Sequence, residues 1–310
     1  MFPYIALLLA QLGTNGKQYS MKKCGRLAPG PFNSVCINAM RALICLAVSL
    51  VIWVIVDRGV TTPFGHAIII ISGVGTAINL FTWILSSRIV SLTLLESICM
   101  IGSLLVPMFL APVLYNGETV SVYQWIGAVR VFVAVFLFMN KEDPSAKKEG
   151  TLLQKITVVF FCAAANTATT VFKKYYDVHI VKKGLGSVEY FTLINFVTII
   201  SVFAILFAIF YVRERKKLTL DAGEGEKVKV ELPYKKVWIF VLIAAAALYL
   251  NELFTVYANE LDAAIYMPLS KGLNVACTFA MDVIVFKDKI TLKKLIALVT
   301  VIVAIVLVTW

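Results

Sequence analysis

Two charged residues, Glu96 and Lys271, stand inside apolar sequence: Val90 to Leu95 precede the glutamate, and Ala263 to Leu269, broken only by Tyr266, precede the lysine. An unpaired charge in hydrocarbon costs roughly 2.5–3.5 kcal/mol on insertion scales, so such residues face water, a ligand or each other. The chemistry this permits is the holding of charged groups. Lys271 can take an anionic group, and Glu96 a cationic group or a coupling proton; the competing reading is an ion pair between them that serves architecture alone. Around them Asn15, Asn79, Asn166, Glu252 and Asn274 offer polar groups, and Trp83 and Tyr266 an aromatic wall, the usual make-up of a pocket for an organic ligand. No Ser/His/Asp set, phosphate-cradling glycine loop or metal-ligand cluster appears in the sequence. The expectation is therefore no enzyme, no cofactor and no ATP-driven pump.

These residues belong to a sequence that repeats itself. Leu80-Phe81-Thr82 recurs as Leu253-Phe254-Thr255, Ile37-Asn38 as Ile194-Asn195, and the spacing from Asn15 to Lys22-Lys23 as that from Asn166 to Lys173-Lys174. Alignment on Leu-Phe-Thr sets Ser72, Thr76, Asn79, Thr82 and Ser86 against Ala245, Tyr249, Glu252, Thr255 and Asn259. Residues three or four apart share one helix face, so each set is a polar stripe. Polar atoms in hydrocarbon are costly unless paired or wetted, and two stripes in register predict a shared interior cavity. Ordinary helix-to-helix hydrogen bonding is the alternative. Gln11, Asn15, Gln18 and Lys22 likewise correspond to Cys162, Asn166, Thr169 and Lys173, and Asn38 to Asn195, with Arg41 one turn beyond Asn38. Glu96 falls opposite Leu269 and Lys271 opposite Ile98, at nearly equivalent depth.

The elements that must position these groups are membrane helices. Of 310 residues, 60% are hydrophobic and 15% charged, with a mean hydropathy of +0.87, which is far more apolar than a soluble domain. Roughly 18 to 25 apolar residues cross about 30 Å of hydrocarbon. Such spans are predicted at 2–20, 33–56, 65–86, 89–114 and 121–139, then at 152–172, 187–212, 237–258, 262–286 and 291–310. Five crossings per half turn the second half upside down, the inverted-repeat plan of secondary transporters. The predicted fold is an all-α membrane protein of ten transmembrane helices in two inverted five-helix repeats: residues 1–140, a linker at 141–150, and 151–310 with a polar connector at 213–236. No Lys or Arg precedes the first span, so it reads as a permanent helix and not a signal peptide. The end at Trp310, straight after an apolar run and without a retention signal, predicts a prokaryotic plasma (inner) membrane.

A net charge of +11 fits basic loops against anionic headgroups, and with no basic-aromatic module nucleic acid is not an expected partner. The six cysteines, scattered and without a Cys-x-x-Cys spacing, read as small packing residues. Of the loop cations, 20 lie in odd loops and five, Arg58, Lys173, Lys174, Lys182 and Lys183, in even ones. That count puts both termini outside the cytoplasm, against the local trend of the cluster from Lys173 to Lys183. Glu189, Asp262, Asp282, Arg88 and Arg130 lie nearer span ends, where charged groups reach the headgroups, and His66 and His179 are expected in loops.

The two five-helix repeats, together with Pro107, Gly117-Glu118-Thr119-Val120 and Trp125-Ile126-Gly127-Ala128, and their counterparts Asp288-Lys289-Ile290-Thr291 and Leu295-Ile296-Ala297, resemble the drug/metabolite transporter superfamily, in particular its ten-helix EamA-like branch. The resemblance implies alternating access about a central cavity lined by the first, third, fourth, sixth, eighth and ninth helices, and cytoplasmic termini. Lys271-Gly272 looks like the lysine that nucleotide-sugar and phosphosugar members of the superfamily use on anionic ligands.

The expected function is efflux or exchange of an amino-acid-like or other charged metabolite by a secondary transporter acting as a monomer or homodimer. Its partners are the small-molecule substrate, the lipid bilayer and, where coupling requires them, protons. One alternative is a proton-coupled exporter of cationic drugs with Glu96 or Glu252 as the proton site. Another, from a different class, is a membrane scaffold or receptor that transports nothing.

Overall fold

In hydrocarbon each backbone N–H and C=O must be satisfied within its own segment or by a neighbour, and this sequence answers with helices. The computed structural model describes residues 2–28, 30–56, 58–89, 92–117, 119–138, 151–222, 234–284 and 292–309. Among the described residues the chain forms α1 (Phe2–Leu27), α2 (Pro31–Val56), α3 (Pro63–Ile89), α4 (Leu92–Leu114), α5 (Val122–Phe138), α6 (Leu152–Tyr176), a π-helical turn (Asp177–Val181), α7 (Val188–Ala222), α8 (Tyr234–Ala258), α9 (Ala263–Ile284) and α10 (Leu292–Thr309), and no strand. Five stretches, Pro31–Val56, Pro63–Trp83, Leu153–Val181, Val188–Lys216 and Val237–Ala258, are long and apolar enough to cross a bilayer, and Ile98–Leu114, Val122–Ala134 and Leu295–Leu307 are shorter apolar helices. Val51, Ile55, Phe109, Val113, Ile205 and Trp238 turn outward, an apolar surface suited to acyl chains and unlike that of a soluble monomer.

Helix ends follow local chemistry. α2 and α3 begin on Pro31 and Pro63, where the missing N–H is an orphan in any helix. At the start of α6 the Gln154 N–H donates to Thr151 Oγ1 (3.3 Å) while the Thr151 N–H donates to Gln154 Oε1 (3.0 Å), a capping box. Ser121 and Gln124 make the same reciprocal pair before α5. Between α4 and α5 the chain turns through Asn116 (φ 57°) and Gly117 (φ 79°).

Packing ties the two halves together. α1 runs along α8 and α3 along α6, while α2 meets α7 and α5 meets α10. A Cβ on Gly13 would sit 2.7 Å from the Ala247 carbonyl oxygen and 2.9 Å from the Asn251 nitrogen, so α1 and α8 touch backbone to backbone. On α3, a Cβ on Gly75 would sit 2.9 Å from Thr169 Oγ1 of α6. α9 carries Pro268 inside the helix, which removes the N–H that would bond the carbonyl of Ala264.

Several sequence expectations change. The polar stretch at 213–236 is not all connector: α7 continues to Ala222 and α8 starts at Tyr234. Arg213-Glu214-Arg215-Lys216-Lys217 consists of good helix formers, and charge on an exposed helix end does not stop the helix. His66 is not a loop residue but sits in the first turn of α3, sharing a 2.7 Å hydrogen bond with Tyr190. His179 belongs to the π-helical turn, its Nε2 2.7 Å from the Leu114 carbonyl oxygen. Lys173 and Lys174, counted above as loop cations, are buried within α6.

Candidate functional site

A cavity of about 130 Å³ lies among α1, α3, α6, α8 and α9. Its charged lining is Lys17 from α1, Lys173 from α6, Glu252 from α8 and Lys271 from α9. The rest of the wall is mainly Thr, Asn, Gln and Ser, with Tyr266 and Leu80.

Most of the uncharged polar wall residues are fixed by a bond to a neighbouring helix or to their own, whereas the buried Thr169 Oγ1 has no hydrogen-bond partner among the described residues. Gln11 Nε2 donates to Ser270 Oγ (2.9 Å) and Asn15 Nδ2 to Asn274 Oδ1 (3.0 Å), joining α1 to α9. Asn251 Nδ2 donates to Thr14 Oγ1 (2.8 Å) and to the Ala10 carbonyl (3.2 Å), joining α8 to α1. Asn79 Nδ2 donates to the Cys162 carbonyl of α6 (3.2 Å), and Asn166 Nδ2 to the Cys99 carbonyl of α4 (3.2 Å). Satisfied amides of this kind cost little in a low-dielectric interior and hold the helices in register.

The charges are arranged unequally. Lys173 Nζ donates to Glu252 Oε2 at 2.5 Å, with only 6% and 5% of the two side chains exposed. Asn195 Nδ2 donates to the same oxygen at 3.1 Å. Glu252 Oε1 has no hydrogen-bond partner among the described residues and belongs to a side chain that lines the cavity. Lys17 and Lys271 have neither a hydrogen-bond nor an ion-pair partner among the described residues, and both line the cavity. Behind the wall, Arg41 of α2 is 1% exposed. Its Nη2 donates to Asn38 Oδ1 at 2.6 Å, while its Nε and Nη1 have no hydrogen-bond partner among the described residues. Arg41 lies within electrostatic range of Glu252 and Lys17. The described interior therefore carries an excess of positive charge.

Of the residues singled out in the sequence, Lys271, Asn79, Glu252, Asn166, Tyr266 and Asn274 line this one cavity. Asn15 is buried and holds Asn274 from behind. Trp83 is half-buried beside Cys99 and Cys162, away from the lining. Glu96 belongs to the stretch 86–97, whose side chains lie outside the described residues, and so does any pairing of Glu96 with Lys271. Sequence reasoning missed Lys17 and misread Lys173. Lys17 falls inside the predicted first span, and an ionisable group at membrane depth is itself a signal. Lys173 follows the predicted end of its span by one residue, where the positive-inside count treats any lysine as a loop charge.

The end of the bundle that holds the loops between α2 and α3, α4 and α5, α6 and α7, and α8 and α9 is closely tied. Lys174 Nζ donates to the carbonyls of Asn259 (2.7 Å) and Leu261, Thr61 Oγ1 donates to the Leu185 carbonyl at 3.1 Å, and Tyr257 OH donates to Glu189 Oε1 at 2.6 Å.

No protein-family model matches the chain, and no curated protein matches it. Among solved structures 26 chains match. One of them, a crystal structure of a protein, superposes with a TM-score of 0.65 over 99% of this chain and 95% of the other at 13% identity. At that identity the likeness is one of fold alone.

Proposed function

We propose that the chain is a secondary transporter that moves a small charged organic solute by alternating access between two inverted five-helix repeats. The observation that carries this reading is the charged cavity, lined by helices drawn from both halves of the sequence. A charged hollow among apolar helices costs folding energy, so its retention calls for a ligand. The helix pairs support the repeat: exchanging each helix for the one five places on turns α1 with α8 into α6 with α3, and leaves α2 with α7 and α5 with α10 unchanged. The bond from Asn79 of α3 to the Cys162 carbonyl of α6 has a parallel, one residue out of register at each end, in that from Asn251 of α8 to the Ala10 carbonyl of α1. The ten-span count and kinship with the EamA-like branch belong to the same proposal.

With Lys173 and Lys174 buried inside α6, the even loops keep only Arg58, Lys182 and Lys183 as cations, so the loop count of a multi-pass plasma-membrane protein favours termini outside, against the cytoplasmic termini that EamA-like kinship implies. A cationic-drug exporter using Glu252 has less support, since Lys173 already holds one oxygen of that carboxylate. Reconstituted vesicles loaded with pools of small metabolites test the proposal. Saturable counterflow by the native chain, lost on Lys271→Ala with the fold intact, is the expected result. Absence of solute exchange by the native chain across cationic, zwitterionic and anionic pools would leave a membrane scaffold or receptor.

A further inference from the structure

Within the carrier reading, we infer that the cavity takes a small dianion, either a short dicarboxylate or a phosphate monoester. Charge comes first. Lys17, Lys173, Lys271 and Glu252 share the lining, and the Lys173–Glu252 pair cancels itself. Two ammonium groups remain without a partner among the described residues, on different helices, with the Arg41 guanidinium behind them. A buried unpaired cation is expensive, and an occupant bearing two negative charges relieves both at once.

The hydrogen-bond donors give the same answer. Thr14, Thr76 and Thr170 hydroxyls donate to carbonyls one turn back in their own helices, and the Asn79, Asn166 and Asn251 amides are engaged across helices. With those donors committed, Lys17 and Lys271 are the charged donors free to bind, beside the Thr169 hydroxyl, which has no hydrogen-bond partner among the described residues, and charge-assisted bonds to anionic oxygens are the strong ones. Glu252 Oε1 remains as an acceptor, which admits an ammonium substituent on the ligand.

Size narrows the class. At about 130 Å³ the hollow is comparable to an engineered cavity of about 150 Å³ that holds benzene. It fits a succinate- or phosphoglycolate-sized molecule.

The test uses the purified full chain in detergent at low salt, with succinate and 2-phosphoglycolate as probes and acetate and tetramethylammonium as controls. The inference predicts a saturable rise in Tm with at least one dianion, with apparent affinity about tenfold or more above that of acetate, and a loss of about tenfold in Lys17→Gln and in Lys271→Gln. Lys183→Gln, on an exposed loop, should match the native chain. Succinate alone shifting Tm assigns the dicarboxylate class, and phosphoglycolate alone assigns the phosphate class. Should either glutamine variant misfold, amine acetylation of the native chain read by mass spectrometry serves instead: the bound dianion should shield Lys17 and Lys271. No dianion shift, a shift equalled by acetate, unchanged affinity in both variants, or no shielding would each overturn the inference. Vesicle counterflow separates the two claims. Exchange of another solute without dianion binding leaves the carrier standing, whereas dianion binding with no exchange of any solute leaves the site and removes the carrier.

Discussion

Lys173 and Glu252 are almost fully buried as a pair, and buried pairs are asymmetric in their energetics. Removing one partner strands the other charge and costs about 3–5 kcal/mol, whereas replacing both with apolar groups of similar volume is often neutral. Glu252→Gln should therefore lower the Tm of the detergent-solubilised chain markedly, and Lys173→Met combined with Glu252→Leu should recover most of the loss. Equal destabilisation by the single and the double variant would show that the pair does not act as a unit. At this scale the sequence was legible where a charge interrupted a largely apolar run, as at Lys271. It was opaque where the charge sat among other polar residues, as at Lys17 between Gly16 and Gln18, or at the margin of a span, as at Lys173. Windowed hydropathy averages over such positions, and side-chain reach decides them: a lysine one turn inside a helix end can turn toward an interior carboxylate as readily as toward a headgroup.

The helices that present these residues are held by close approaches, and the two glycine contacts differ in what opposes a side chain. On Gly13 an added methyl would meet the backbone of Ala247 and Asn251, at 2.7 and 2.9 Å, and backbone in a packed helix cannot step aside. On Gly75 the nearest atom is the Thr169 hydroxyl at 2.9 Å, which can rotate away. Overpacking typically costs about 1–3 kcal/mol; Gly13→Ala should fall within that range and Gly75→Ala below it, read as Tm losses in the same detergent. The reverse order would mean that α1 and α8 separate more easily than α3 and α6. Apolar length predicted the helices themselves, with spans at 33–56 and 237–258 close to α2 (Pro31–Val56) and α8 (Tyr234–Ala258). The extension of α7 to Ala222 and the π-helical turn after α6 were not predicted. Polarity says where a helix leaves the membrane, not where it ends.

For the molecule as a whole, alternating access requires one end of the bundle to be shut while the other admits solute. The end bearing the Lys174 carbonyl bonds, the Thr61 contact to Leu185 and the Tyr257–Glu189 bond is fastened within the second half by the first and last of these and across the two halves by the loop contact of Thr61 with Leu185. That closure was not readable from the sequence, because it depends on loops 124 residues apart meeting at one point, whereas the polar stripes of the interior follow from helical periodicity. If opening this end is one stroke of the cycle, tethering it should arrest transport. In vesicles, Thr61→Cys with Leu185→Cys, joined by a short bis-thiosulfonate reagent, is expected to reduce counterflow about tenfold or more, as for a closure that gates turnover. A reducing agent should restore the flux. The six native cysteines are buried, so the reagent applied to the native chain is the control. Undiminished flux with the tether in place would mean that this end stays closed throughout the cycle, and the rocking mechanism would then have no second opening to alternate with.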